Sequence, residues 1–451
     1  MAHFDTSGLQ PAADRLLEQG IDVVRLGYAD LIGTDRSRDL LVNRLARTVS
    51  SGVAFCRSVY GTTPRGGVVD IEGGLSAGLP DILAFPDIDT LLPVPWEPGV
   101  AHCIADLYNP DGTPSAESPR AVLRSVVEGF AELDMVPMVG PELEFYILEE
   151  SKKSPSGWQR YGEGTGNVYV SGLKGDPENV LLASLRQLGE YGIDVVAANH
   201  EFASGQFEIN LWHGPALDAA DRAHRFKAAI KELARANGHL ATFMPKPFND
   251  EGGSGYHLHF SLWSPDGATP LFDDPDGPDG LSRVGRAAVA GVLAHAPALA
   301  AVSNPTVNSY KRFGPDTLAP WLIDWGMDNR SAMVRIPPER GGSARMELRL
   351  GDASANSYLA IAGMLAAALL GIRDGLEPPE PLVGYGYDVS KSPMLPTDLG
   401  SALDALEADT EFAEALGEPF VKAFLTYKRD EIERFNSWIT DWEFHEYTYH
   451  L

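Results

Sequence analysis

Cysteine is almost missing from this chain. Only Cys56 and Cys103 among 451 residues carry a thiol. Two isolated cysteines give neither a disulfide framework nor a thiolate zinc motif. Basic residues are also scarce: 36 Lys and Arg stand against 63 Asp and Glu, a formal net charge of −27. That balance disfavours nucleic acid and anionic membranes as partners. It leaves a phosphate-bearing substrate open, because phosphate arginines can be local. No stretch approaches ~20 consecutive apolar residues, and no charged-then-apolar N-terminal segment leads into a small-residue cleavage site. A reducing cytoplasm is the expected location. Internal repeats are absent as well.

What the chain does have is an unusual set of alternating segments. In PELEFYIL, Glu142 and Glu144 oppose Leu143 and Phe145. In QFEINL, Gln206, Glu208 and Asn210 oppose Phe207, Ile209 and Leu211. In YHLHFSL, His257, His259 and Ser261 oppose Tyr256, Leu258, Phe260 and Leu262. In RMELRL, Arg345, Glu347 and Arg349 oppose Met346, Leu348 and Leu350. Side chains alternate along a strand, so each polar set lies on one surface. A solvated sheet face alternates in the same way, but it mixes Lys, Thr, Ser and Glu. Here the polar set is nearly all Glu, His and Arg. If the four strands share a sheet, that face suits metal-dependent phosphoryl transfer. Clustered glutamates repel one another unless cations sit among them. With no thiolate and little imidazole, the donors suit Mg²⁺ or Mn²⁺ rather than Zn²⁺. Glu201, just before the second strand, adds a carboxylate.

The hydrophobic content of 44% is enough for two domains with large cores. Residues 1–112 read as a small domain. It has a helix over 12–19, a strand in IDVVRLGYAD, a turn at Gly33, and extended FPDIDTLLPVPW and VAHCIADLY segments. A turn-rich boundary at 109–119 precedes a helix capped at Ser118 with Pro119 in its first position. Over 113–451, motif-bearing strands alternate with helices at 176–191, 217–237, 281–295 and 356–370. Residues 151–166 and 264–280 read as exposed loops. Residues 398–447 read as helical and acidic, with Trp438, Trp442 and Tyr447 as packing anchors.

GPELEF, HEFASGQFEI, FMPKPFNDEGGSGYHLHFSL, NSYKRFGPDTLAP, DNRSAMVRIP and RMELRLGDASANSYLA resemble, in order, the motifs of glutamine synthetases. The resemblance runs from about residue 20 to the end. It implies an α+β fold: an N-terminal β-grasp-like domain, then a catalytic domain whose curved antiparallel sheet forms a funnel-like partial barrel flanked by helices. It implies stacked hexameric rings, glutamate and ATP as substrates, and two or more Mg²⁺ or Mn²⁺ ions. By the same resemblance Glu144, Glu201 and Glu208 hold one metal, and Glu142, His257 and Glu347 another. Gly253, Arg312 and Arg349 bind glutamate. Arg330, Arg335 and Arg345 handle phosphate. His259, Ser261 and Tyr169 belong to the nucleotide site. Asp30 matches the aspartate that holds and deprotonates ammonium, acting across a subunit boundary.

Two positions depart from the family pattern. The family's KRLVPGYEAP loop reads KRFGPDTLAP, so Leu318 stands where a glutamate closes the site and accepts a proton. Gly252 stands where NGSGMH carries asparagine. The implied chemistry is phosphorylation of the glutamate γ-carboxylate by ATP, then attack by an amine on the acyl phosphate. Leucine makes the amine pocket more apolar. The expectation is a ligase for an organic amine, with a small monoamine such as ethanolamine favoured over a polyamine. A true glutamine synthetase and a catalytically idle structural or regulatory member are the alternatives.

Overall fold

The computed structural model describes residues 8–154, 156–162, 167–315, 317–449 and 451. Pro155 and residues 163–166 of the expected 151–166 loop lie outside them, as does Asp316. Among the described residues the fold is α+β, with two sheets.

The first sheet has six strands, all between residues 23 and 108. Val23–Ala29 pairs antiparallel with Asp35–Leu41 and parallel with Val100–Tyr108. The helix that precedes it starts at Leu9, earlier than expected, and ends at Glu18 with the chain turning at Gly20. FPDIDTLLPVPW is not extended throughout: Ile88–Thr90 is a turn of 3₁₀ helix capped by the Asp87 carboxylate.

The second sheet has ten strands and curls into a half-barrel. Its longest strand, Val136–Glu150, lies between Tyr256–Trp263 and Gln206–Leu211. Tyr256–Trp263 pairs in turn with Met346–Leu348, which pairs with Val334–Ile336. All four alternating segments therefore share one sheet. RMELRL forms the shortest of them, three residues long. One pairing breaks the antiparallel pattern: Trp325–Met327 runs parallel to Val334–Ile336. The expected 151–166 loop also contains a short strand, Trp158–Arg160, on the edge of Val136–Glu150.

Apolar faces of these strands pack on helices. Pro119–Ala131 starts where Pro119 predicted, although Ser118 contributes no side-chain cap. The helix expected from 176 begins only at Val180, because the Asp176 carboxylate accepts the amides of Val180, Leu181 and Leu182. Asp176 thus acts as a cap rather than a helical residue. Ser357–Asp374 is the hub of the core, packed against Pro119–Ala131, Ala216–Ala236 and Arg283–Ala294. It is long and apolar enough to cross a membrane by composition, but it is 78% buried inside the protein. Its backbone meets Arg283–Ala294 directly: a Cβ on Gly371 would lie 2.3 Å from the Ala287 oxygen and 2.5 Å from the Gly291 Cα. Only glycine permits that approach.

A buried ion cluster joins the two sheets' surroundings. Arg120 donates to Asp106 at 2.6 Å, Asp87 at 2.7 Å and Asp221 at 2.8 and 3.0 Å, and Tyr358 also donates to Asp221. The C-terminal segment is helical as expected, but the three expected anchors are not buried in the core: Trp438 is 65% and Trp442 63% exposed, and Tyr447 is exposed too, in edge contact with Trp442. The helix Asp441–Tyr447 buries no residue within this chain.

Candidate active site

Strand register assembles the polar face. Glu142 stands opposite His257 on one side and Asn210 on the other. Glu144 stands opposite Glu208. Glu347 stands opposite His259 on one side and Arg335 on the other. Residues distant in the chain thus reach one surface, because each strand's other face is fixed by burial of Leu143, Phe207, Leu258 and Leu348.

Two groups of donors converge, each with ligand atoms within 4.8 Å of one another: Glu142, Glu208 and His257; and Glu142, His259 and Glu347. This differs from the expected partition. Glu142 belongs to both groups, and His259 joins the donors, with its Nε2 3.0 Å from Glu142. Glu144 and Glu201 stand outside both. The Glu144 carboxylate accepts the Gly255 amide at 2.8 Å and the Gln206 amide nitrogen at 3.2 Å. Glu201 accepts Asn199 Nδ2 at 2.7 Å.

The carboxylates divide electrostatically. Burial alone would raise Glu142, but hydrogen bonds from His257 and His259 outweigh it and hold the group well below the usual range. Burial also opposes Glu347, yet the Arg349 charge and both histidines bring it to about 2. Glu201 is pushed up to about 7 by burial and by repulsion from Glu144. Glu208 is pushed up to about 7 by burial and by repulsion from Glu142 and Glu144. Hard oxygen donors in mutual repulsion, with imidazole and without thiolate, fit Mg²⁺ or Mn²⁺.

Arginines surround this cluster. Arg335 donates to Glu347 at 2.6 Å and to Asp328. Arg349 bridges Glu347 and the Arg330 carbonyl. Arg345 donates to His259 Nδ1 at 3.0 Å and to Glu339. Arg330 itself is exposed, and its charge reaches Glu201. Arg312 is buried, donates to the Leu350 carbonyl at 2.6 Å, and keeps an unpartnered Nε. Burial lowers its pKa, partly offset by Asp352 and Glu144. Gly253 admits it: a Cβ there would lie 2.4 Å from Arg312 Cγ.

A cavity of about 380 Å³ opens beside the cluster, lined by Met138, Trp212, His213, His259, Ser261 and Arg345 among others. Tyr169 is not part of that lining. It is exposed, and its amide donates to the His200 carbonyl, next to Glu201. Its expected grouping with His259 and Ser261 is not what the structure brings together. Asp30 is also apart from the cluster. Its carboxylate accepts the amides of Ile32 and Thr34 and ion-pairs with Arg36 at 2.8 Å. Burial raises it, against the pull of Arg36.

The fold adds details of the site that the sequence did not show. Asp352 is fully buried with one unpartnered oxygen, and its charge acts on Arg312. It has the wrong parity for the RMELRL alternation. Gln206 bridges Glu144 and the Gly253 carbonyl. Its place in the QFEINL polar set was visible; the bridge was not. Leu318 adopts left-handed backbone, φ 58°, and is about half exposed. The Gly252 carbonyl accepts the Tyr146 hydroxyl at 2.7 Å.

Known proteins match nearly the whole chain. Residues 116–447 match the glutamine synthetase catalytic-domain family. A glutamine synthetase of Methanocaldococcus jannaschii is 35% identical, covering 97% of this chain and 98% of its own. One from Thermotoga maritima is 36% identical, covering 96% and 97%. Among solved structures, a GmaS/ADP complex superimposes with TM-score 0.86 at 34% identity, covering 97% of this chain and 99% of that one. The strand-borne carboxylates, their arginines and these matches together make the chain a member of the glutamine synthetase family of carbon–nitrogen ligases.

Proposed function

We propose that this protein is an ATP-dependent ligase joining the γ-carboxylate of glutamate to an organic amine. The observation that carries the reading is Leu318, in place of the loop glutamate, in a chain that keeps a face of converging carboxylate and imidazole donors. Likeness to GmaS, a γ-glutamylmethylamide synthetase, supports an amine that carries carbon. A small monoamine such as ethanolamine is favoured over a polyamine.

In this reading Glu142, Glu144, Glu201, Glu208, His257 and Glu347 would hold two or more Mg²⁺ or Mn²⁺ ions. Bound there, the ions offset charge on a transferring phosphoryl group. Arg335 and Arg345 reach the phosphates from the sheet, and Arg330 from its loop. The cavity beside His259 and Ser261 receives the nucleotide, and Tyr169, held by the His200 carbonyl, joins it in this reading. Arg312, Arg349 and the Gly253 backbone hold glutamate. A carboxylate has no competent leaving group for amine attack; the γ-glutamyl phosphate does. The amine must be neutral to attack, so its proton needs an acceptor. Asp30 is that acceptor in our reading, supplied by a neighbouring subunit.

We read residues 1–112 and 113–451 as the two domains. We also read the protein as a homo-oligomer of stacked hexameric rings in the cytoplasm. The exposed Trp438, Ile439, Trp442 and Phe444 give it an apolar face for assembly. Light scattering of the full chain tests that state; a monomer would remove Asp30 from the mechanism.

The function is tested by kcat/KM for ammonium, ethanolamine, a short alkylamine, putrescine and spermidine, read as phosphate release at fixed ATP and glutamate. The short monoamines should exceed ammonium. If ammonium wins, the protein is a glutamine synthetase, as its curated relatives are named. No Mg²⁺- and glutamate-dependent ATP hydrolysis at all would identify an idle family member.

A further inference from the structure

Residues 382–395 contain no helix or strand, yet hydrogen bonds tie them along the stretch that carries the site loops. Leu382 donates to the Trp325 carbonyl, Ile323 to Pro393 and Leu395 to Trp321. Asn329 donates to the Gly384 carbonyl at 2.7 Å, and Gly386 to the Ser331 hydroxyl at 2.8 Å. These bonds anchor the segment to the strand lead-in and to both neighbours of Arg330. The Tyr387 hydroxyl makes a different tie. It donates to the Ala319 carbonyl at 3.1 Å, next to Leu318.

Two further observations bear on that bond. Leu318 holds a positive φ of 58°, a conformation disfavoured for a residue with a Cβ. Such backbone persists where its surroundings hold it. Tyr387 is also within electrostatic reach of Arg312, and its ring packs against Tyr385 with centroids 4.8 Å apart. It therefore stands between the arginine read as binding glutamate and the loop read as facing the amine.

We infer that the Tyr387 hydroxyl is a positioning group that latches the Leu318 loop in register with the Arg330 loop, and so sets access and selectivity for the amine. This rests on the amine-ligase reading. The hydroxyl bonds the loop that is read as facing the amine, so glutamate phosphorylation should survive its loss. Its effect falls on the second half-reaction.

Tyr387→Phe keeps the ring and its Tyr385 contact and deletes the hydroxyl. A neutral hydrogen bond of this kind corresponds to about three- to tenfold in an equilibrium. Hydrogen exchange of the peptide spanning residues 317–323 should quicken by about that factor in the full chain. The amine kcat/KM should fall by about the same factor. Glutamate-dependent bridge-to-nonbridge oxygen scrambling in γ-¹⁸O-labelled ATP, which reports acyl phosphate formation without amine, should not change. Unchanged exchange overturns the inference. So does a parallel fall of scrambling and amine turnover with the thermal midpoint, which marks a merely structural hydroxyl. If the wild-type protein prefers ammonium, the amine reading fails, and the latch is then read on ammonium kcat/KM. If it turns over nothing, the exchange experiment alone decides.

Discussion

Glu142, Glu208, His257 and Glu347 stand on paired strands, whereas Leu318 stands on a loop outside both sheets. On the strands, each polar group has a partner across the register, and each apolar neighbour is buried beneath it. Glu347 is fully buried between Arg335 and Arg349. On the loop, Leu318 is half exposed in strained backbone, with Tyr387 holding the next carbonyl. The difference has a physical consequence. Strand residues are held by pairing and by the core beneath them, so in our reading they carry the phosphoryl chemistry. A loop residue can change with little cost to the fold, so it is where substrate choice can differ.

The largest expected effect breaks the strand side. Glu144→Ala or Glu208→Ala should lower phosphate release by about a thousandfold or more, roughly 4 kcal/mol of transition-state stabilisation. Both should also weaken the bound cation, measured by Mn²⁺ titration. Full activity of either variant at modest Mg²⁺ would sink the metal assignment. The Glu144 variant is the sharper test, because that carboxylate is engaged by Gly255 and Gln206 rather than grouped with the converging donors.

That contrast also explains what could be read from the sequence. Alternation with period two is a local signal, so it placed Glu142, Glu208, His257 and Glu347 each on the polar face of its own strand, and a common face followed only if the strands shared a sheet. Pairing partners are not local. The sharing of Glu142 between two donor groups depends on two registers, Glu142 opposite His257 and His259 opposite Glu347. His259 was assigned to the nucleotide by resemblance; in the fold it both contacts Glu142 and lines the adjoining cavity. Asp352 escaped because it lies beyond the strand Met346–Leu348 and out of step with the RMELRL alternation. Trp438 and Trp442 looked like packing anchors, since large aromatics usually are buried. Nothing in a single sequence says which apolar face its own chain leaves uncovered.

A second prediction uses the divided carboxylates. Glu201 and Glu208 have folded pKa values near 7, above their ordinary range. A carboxyl raised on folding favours the fold when protonated. Its contribution is complete below the unfolded pKa of about 4.5 and is lost as pH rises through 7. Glu347, lowered to about 2, acts in the opposite sense. Its contribution holds above about 4.5 and is lost as pH falls toward 2. Metal-free protein should therefore gain in thermal midpoint from these glutamates as pH drops from 8 to 6. Mn²⁺ must displace their protons, so below pH 7 its apparent affinity should fall about tenfold for each unit that the pH drops, per proton released. Calorimetry in buffers of different ionisation enthalpy counts those protons. A pH-independent affinity from 6 to 8 would contradict the repulsion that we assign to this face.

The smallest expected effect lies on the loop side. Leu318→Glu restores a carboxylate where the family pattern has one, and it should move the ratio of kcat/KM values toward ammonium. Burying a methylene contributes about 0.8 kcal/mol, so a two-carbon amine gains roughly tenfold from an apolar wall, and replacing that wall forfeits about as much. The backbone complicates the comparison, because glutamate at φ 58° is as strained as leucine. Leu318→Gly separates the two terms: it relieves the strain and removes the side chain without adding charge. Glycine should weaken the organic amine without helping ammonium. Glutamate should weaken the amine and help ammonium, since only it can hold a cation and accept its proton. If both variants leave the ratio where the wild type has it, position 318 does not set selectivity. The half-exposed side chain would then be facing solvent throughout the reaction, and the amine's contacts would have to come from the residues around Arg312 and Arg330.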